Sequence, residues 1–505
     1  MPGSVKAPAA PVLGGRYVWY ALGLLAFGNL LNYLDRNIIL VLFEPIKHDL
    51  GISDTQLGWL GSSFAIAFAL GALGAGVLSD LRSRRSVIAG GLALWSAFTA
   101  LGGVARTYWH LFTSRGVVGV AESSYLPAAQ ALLADYFPDR GRAQAMGIFW
   151  IGLAVGGVMA VWIGGHLAAA FGWRATLAVV GLPGLLFAVL MARLEDPRPA
   201  RGAARAARGA RKFRITPRIA LRAGLPLLIS LLVGTVVVGF LALFRDVPAA
   251  ADTAAFGIIV GLGLIWTVLK WVRIVMRLRR SILPVAPADA VDEMLDAAAV
   301  VLRTPTLIWM FVGGALTTAA MNSLVAWSAS YLQRVLHLTL VEAAQEIGAV
   351  GLMAGVLGSW IGGRFGDRLM QYTPSGRVIA SAVGFLLGAP FCIALLLVND
   401  VGIFAALFFV VVFLFTWYNG PIAAVLFDVV PRGVAATVMG VYVFFIHIAG
   451  DAVALPVVGF LSDRYGLRVA LMTLPAVGLL GGALLLLAVP TVARDMERVK
   501  TRPEA

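Results

Sequence analysis

The sequence predicts an all-α polytopic membrane protein of about fourteen spans, built as two six-helix bundles with two further transmembrane helices inserted between them. Three observations carry this expectation. Of 505 residues, 60% are hydrophobic and only 13% are charged, about half the charged share of a soluble domain. Apolar runs of about 20 residues recur from Tyr17 to Pro490, each long enough to cross ~30 Å of hydrocarbon as a helix. The second half of the chain also repeats landmarks of the first, in order.

The runs lie near 18–42, 56–79, 86–105, 110–134, 143–170 and 173–192, then 223–244 and 253–273, then 306–333, 343–366, 377–398, 401–427, 434–460 and 468–490. The first is too long for the apolar core of a signal peptide and reads as a span. This divides the chain into an N-terminal tail 1–16, a first bundle 17–192, a connecting region 193–304, a second bundle 305–490 and a C-terminal tail 491–505. The Arg/Ala/Gly-rich stretch 198–212 lacks apolar periodicity and reads as a flexible basic linker. Residues 284–304 read as a short helix with acidic residues at its start.

The net charge of +14 is concentrated: residues 193–222 carry +8 and residues 270–280 carry +5. Clusters of this kind beside membrane spans read as cytoplasmic segments facing anionic lipid, not as a nucleic-acid surface. Arg82, Arg84 and Arg85 follow the second span, Arg140 and Arg142 the fourth, and the loop after the first holds Glu44, Asp49 and Asp54 against Lys47. This alternation puts both termini in the cytoplasm, in a bacterial cytoplasmic membrane. A monomer is expected. Cys392 is the lone cysteine, which excludes an intramolecular disulfide and a cysteine metal cluster. No nucleotide-binding loop or metalloprotease motif occurs, so neither cofactor nor enzymatic activity is expected.

The internal repeat is the strongest architectural signal. Gly76-x-x-x-Asp80 returns as Gly363-x-x-x-Asp367, 287 residues later; Asp135, Pro138 and Met146-Gly147 return as Asp428, Pro431 and Met439-Gly440, 293 later. Two such halves suit a transporter that rocks about a midplane site. The segment Gly76-Val-Leu-Ser-Asp80-Leu-Arg-Ser-Arg84-Arg85 resembles the loop signature of the major facilitator superfamily. With Gly363, Asp367 and Arg368 it implies a conformational latch, although Leu81 and Ser83 depart from the usual residues. Asn32-Tyr33-Leu-Asp35-Arg36, Arg115-Gly-x-x-Gly119-x-x-Glu122, Gly420-Pro421, and His447-x-x-Gly450-Asp451 with Gly459-x-Leu-Ser462-Asp463 together resemble the spinster-type branch. That resemblance implies proton-linked movement of lysolipids or sphingoid phosphates. An organic-anion symporter of the anion-cation symporter type is the alternative, because Asn-Tyr-Leu-Asp-Arg is shared with it. A non-transporting sensor or scaffold is the reading from another class.

Charges within apolar spans are costly and need a reason. Asp35 and Glu122 are candidate proton-coupling carboxyls. Arg36 either neutralises Asp35 or binds an anionic head group, with Tyr33 and Asn32 beside it. Arg115 is either a boundary charge or a substrate or carboxylate partner. His447 and Asp451, four apart on one helical face, read as a polar lock or as a second proton-sensing pair. They lack a third ligand for a metal. The second half offers Trp309, Trp327, Trp417 and Tyr418 where the first carries fixed charges within its spans, which suits a small amphiphilic or anionic substrate.

Overall fold

A computed structural model describes residues 15–81, 83–137, 142–196, 263, 266–268, 270–271, 300–430 and 432–501. The inserted runs 223–244 and 253–273, and nearly all of the basic segments 193–222 and 270–280, lie outside the described residues, as does most of the expected helix 284–304. The fourteen-span count extends to residues that are not described. Among the described residues the fold is all-helical and multi-span, and seven helical stretches are long and apolar enough to cross a membrane.

In the first half, α1 (Gly15–Val41), α2 (Phe43–Leu50), α3 (Asp54–Leu81), α4 (Arg84–Gly102), α5 (Tyr108–Ser123), α6 (Tyr125–Tyr136) and α7 (Arg142–Ala192) follow one another. The expected span 110–134 is divided at Ser124 into α5 and α6. The expected spans 143–170 and 173–192 run together as α7 but break at Gly172, where φ is +79°. The second half comprises α8 (Pro305–Val335), α9 (Leu340–Leu369), α10 (Gly376–Leu397), α11 (Val401–Phe415), α12 (Asn419–Asp428), α13 (Arg432–Ile446), α14 (Ala452–Tyr465), α15 (Leu467–Leu471), α16 (Thr473–Leu486) and α17 (Val489–Thr501). Gly466, at φ +84°, precedes α15 as Gly172 marks the break in α7. A residue with a Cβ is strained at such angles, so glycine has a backbone reason at both positions, each followed two residues on by an arginine, Arg174 and Arg468.

Caps are supplied by the sequence where helices leave the apolar layer. Thr339 and Glu342 form a reciprocal capping box on α9, and the Asp400 side chain accepts the Ile403 N–H at the start of α11. Both satisfy amide hydrogens that have no partner within the helix. Between α13 and α14, residues His447–Asp451 form one π-helical turn, a widening often found at functional positions.

Each half has its own apolar core: Leu22, Trp95, Tyr125 and Phe149 in the first, and Leu307, Met310, Val425 and Leu485 in the second. A third cluster belongs to both, with Phe43, Leu57 and Leu60 from the first half and Trp327, Leu332 and Leu455 from the second. Phe43 and Trp327 meet edge to face at 5.3 Å. The face bearing the chain's first and last helix ends is called here the terminal face, and the face bearing α2 the opposite face.

Residues of the expected C-terminal tail are helical as far as Thr501. Asp495 of α17 is 2% exposed and accepts hydrogen bonds from the Thr306 N–H at 3.2 Å and its hydroxyl at 2.7 Å. It therefore caps α8 from the far end of the chain. Asp495→Ala is expected to destabilise the protein by about 1–2 kcal/mol, read as a lower midpoint in a detergent thermal melt. An unchanged midpoint would show that α8 does not depend on this cap.

Candidate functional site

The interior of the first half holds a chain of polar groups carried by α1, α4 and α5. Asp35 is 3% exposed, and its carboxylate accepts the Thr99 hydroxyl at 2.5 Å and the Arg115 guanidinium at 3.4 Å. Arg115, 2% exposed, also donates to the backbone carbonyls of Asp35 and Arg36, at 3.4 and 3.2 Å. Its side chain is thus spent on holding α5 against α1. Buried guanidinium and carboxylate tolerate the apolar interior only as such a pair.

Arg36 faces elsewhere. Its guanidinium lies 4.2 Å from the Phe68 ring centre, 5.0 Å from Phe64 and 5.5 Å from Tyr33. Among the described residues no carboxylate forms a salt bridge with it. Aromatic faces stabilise a cation but leave its hydrogen-bond donors open. Glu122 is fully buried, and neither carboxylate oxygen has a hydrogen-bond partner. The Asn32 side chain, also fully buried, faces that carboxylate but makes no hydrogen bond of regular geometry with it. Asp35, Arg36 and Arg115 all lie within electrostatic reach of Glu122. A carboxyl in that position differs greatly in free energy between its charged and neutral forms.

In the second half, His447 Nδ1 and Asp451 Oδ2 are 2.6 Å apart across the π turn, and Asn322 of α8 donates to Asp451 Oδ1 at 2.9 Å. The Gly450 Cα stands so close to the Ala315 carbonyl that an added Cβ would lie 2.7 Å from it. The pair is therefore packed tightly onto α8.

The residues expected in the latch are distributed as follows. The side chains of 73–82, including Gly76 and Asp80, lie outside the described residues. Arg84 pairs with Asp135 and donates to the Ala131 carbonyl at 2.6 Å, and Arg85 donates to the Leu194 carbonyl. Asp367 accepts from Arg377 at 2.9 Å, and Arg377 also binds Asp428 at 2.6 Å. Arg368 is exposed and forms no salt bridge among the described residues, and a Cβ on Gly363 would meet open space. Sequence reasoning missed Arg377. It stands 293 residues after Arg84, the same interval that separates Asp135 from Asp428, so the repeat contained the signal.

Sequence reasoning also missed a charge cluster on the opposite face, where the halves meet. Arg334 of α8 grips Asp54 with two hydrogen bonds of 2.6 and 2.8 Å and reaches Glu44 at 2.8 Å. Lys47 and Ser462 bind the same Asp54 carboxylate, each at 2.6 Å. Exposed His48 stands 3.9 Å from Glu44 at the rim. Asp54 precedes the apolar run 56–79. Burial raises its carboxyl, but hydrogen bonds from Arg334, Lys47 and Ser462 outweigh this and hold it at about 2. A depressed acid stabilises above its unfolded value, and that contribution is lost only as pH falls through the folded value. The Asp54 contribution to this closure is therefore expected to persist from pH 7 to pH 5. Spin labels at Arg106 and Tyr465, on a Cys392→Ser background, should give the same distance distribution at both pH values. A widening at pH 5 would contradict it.

Two pseudo-equivalent bundles, closed against each other at one face, with charged groups inside the first, define a secondary membrane transporter. The chain belongs to the Major Facilitator Superfamily, whose family pattern matches residues 25–250 and 227–450. It is an integral membrane transporter with spinster-like relatives, and not an enzyme. It is 27% identical over 454 residues to an MFS-type efflux pump of Mycolicibacterium smegmatis, covering 89% of this chain and 86% of that protein. It is 24% identical to protein spinster homolog 1 of Xenopus tropicalis over 507 residues, covering 94% and 81%. The crystal structure of a bacterial homologue of the human lysosomal transporter spinster superposes with a TM-score of 0.71 at 20% identity, covering 96% of this chain and 99% of that one. At that identity the likeness concerns the fold.

Proposed function

We propose that the protein couples proton movement to transport of an amphiphilic solute with an anionic head group, such as a lysolipid or sphingoid phosphate. Glu122 is the proton-coupling carboxyl, and Arg36 receives the anionic group. One observation carries this reading: a fully buried carboxyl without a hydrogen bond lies within electrostatic reach of a cation without a carboxylate partner. Among the described residues, the other two charges of this cluster, Asp35 and Arg115, are paired with each other. Protonation of Glu122 removes a negative charge that competes with substrate for Arg36, so binding and proton occupancy are linked. A sphingosine-1-phosphate transporter of Danio rerio, 30% identical over 36% of this chain, supports the substrate class.

A second reading, transport of a small sugar acid, is favoured by the 29% identity to a probable L-galactonate transporter of Escherichia coli over 34% of this chain. Arg36 suits its carboxylate equally well. Flux into proteoliposomes with an imposed pH gradient separates the two, using a radiolabelled sphingoid phosphate, a lysophospholipid and a hexuronate. Gradient-driven flux of an amphiphile supports the first reading, and flux of the hexuronate alone replaces it with the second. Flux that ignores the gradient removes the proton from the mechanism.

Both termini face the cytoplasm in this reading, because the arginine-rich loops border the terminal face. Cysteine at exposed Arg106, on the Cys392→Ser background, should then react with an impermeant maleimide from outside intact cells. Cysteine at Tyr372, 85% exposed on the other side, should react only after permeabilisation. The reverse pattern would invert the topology.

A further inference from the structure

The pair α5–α6 runs antiparallel to α1, and two contacts set its register. Arg115 reaches the Asp35 and Arg36 carbonyls, while the Tyr125 hydroxyl donates to the Leu25 carbonyl at 2.6 Å and packs against Gly28. Glu122 stands between these anchors, seven residues after Arg115 and three before Tyr125. Its turn therefore lies opposite residues 29–32 of α1, which carry two fully buried asparagines, Asn29 and Asn32.

The two amides are held differently. Asn29 donates to the Phe149 carbonyl of α7 at 2.8 Å, which fixes its orientation. Asn32 faces the Glu122 carboxylate and makes no hydrogen bond of regular geometry with any group. A buried amide that spends neither its donors nor its acceptor carries a desolvation cost, and Glu122 beside it has the same shortage. The charged or titratable groups around Glu122 are Asp35, Arg36 and Tyr33 on α1 and Arg115 on α5. Asp35 and Arg115 are bonded to each other, and Arg36 lies over the Phe64 and Phe68 rings of α3. From α4, Thr99 is spent on Asp35.

We infer that Asn32 is a positioning residue for Glu122, its amide turning about the Cβ–Cγ bond with the protonation state of that carboxyl. The inference rests on the coupling role of Glu122. In the ionised state the Asn32 N–H donates to the carboxylate; in the protonated state the Asn32 carbonyl accepts the acid O–H. The proton passes between Glu122 and the water of the transport pathway, and the amide neither gains nor loses one. An arginine or lysine at this position would serve the charged form alone, whereas an amide carries donor and acceptor side by side. Hydrogen bonds to ionised groups are the stronger, so Asn32 favours the carboxylate and still leaves the acid satisfied.

The test is infrared difference spectroscopy on full-length protein in lipid nanodiscs, stepped through pH, which reads the C=O stretch of protonated carboxyls. The band that Glu122→Gln removes belongs to Glu122. Asn32→Leu takes away the donor and fills its space with an apolar group. The ionised form loses a hydrogen bond, so the Glu122 band is expected to persist to higher pH, its midpoint raised by about one unit, a tenfold change in proton affinity. Its frequency should rise as well, because the acid O–H has lost its acceptor. Asn32→Ser, whose hydroxyl both donates and accepts, should return both readings toward the parent. Asn32→Val gives the same comparison with a smaller side chain if α1 does not accept leucine. A midpoint that stays or falls in Asn32→Leu or Asn32→Val would overturn the inference and leave Glu122 in its role. The absence of any titrating band that Glu122→Gln removes would overturn that role, and the inference with it.

Discussion

Glu122→Gln is expected to abolish gradient-driven accumulation of substrate while substrate binding survives. The amide has the size of the neutral acid and holds its charge state fixed, so a cycle that needs the group to gain and lose a proton stops in one state. Nothing else in the cluster is placed to substitute for it. Asp35 is tied to Thr99 and Arg115, and Arg115 is tied to Asp35 and two backbone carbonyls. His447 and Asp451 are bonded to each other in the second half. Substrate-induced thermal stabilisation reports binding, and proteoliposome flux with and without a pH gradient reports coupling. Accumulation equal to the parent protein in Glu122→Gln would remove Glu122 from the coupling role, and Asp35 or His447 would be examined next. A loss of binding as well as flux would point to a substrate contact instead.

Arg115→Leu is expected to be the most damaging single substitution in the interior. It leaves Asp35 buried without its cation, and removal of one partner from a buried ion pair costs about 3–5 kcal/mol. It also releases the Asp35 and Arg36 carbonyls that fix α5 against α1. The expected outcome is loss of monodisperse protein on size-exclusion chromatography, or a sharply lowered melting midpoint. Asp35→Leu in the same chain should restore much of that loss, because an apolar pair replaces the orphaned carboxylate. Full restoration of folding without restoration of flux would assign Asp35 and Arg115 a part in the transport cycle beyond packing. A single Arg115→Leu protein that is as stable as the parent would mean that Asp35 is already free of its need for that cation.

What the sequence by itself determined is the part of the molecule governed by local chemistry. Hydropathy is a running property of neighbours, so the apolar runs and the membrane class were legible without a fold. The repeat was legible because both halves keep their landmarks at nearly constant offset, and it even specified Arg377, had Arg84 been carried forward by 293 residues. Buried charges could be named one by one, since a charge inside an apolar run is conspicuous. Their partners were another matter. Adjacent Asp35 and Arg36 point to different surroundings because neighbours on a helix differ by about 100° around its axis. Only the packed rotation of α1 against α3, α4 and α5 sends one to Thr99 and Arg115 and the other to Phe64 and Phe68. The cluster of Arg334, Asp54 and Ser462 spans separations of 280 and 408 residues. No local pattern encodes such distances, so the closure of the opposite face belongs to the tertiary structure, which brings two helices from different halves within hydrogen-bonding range.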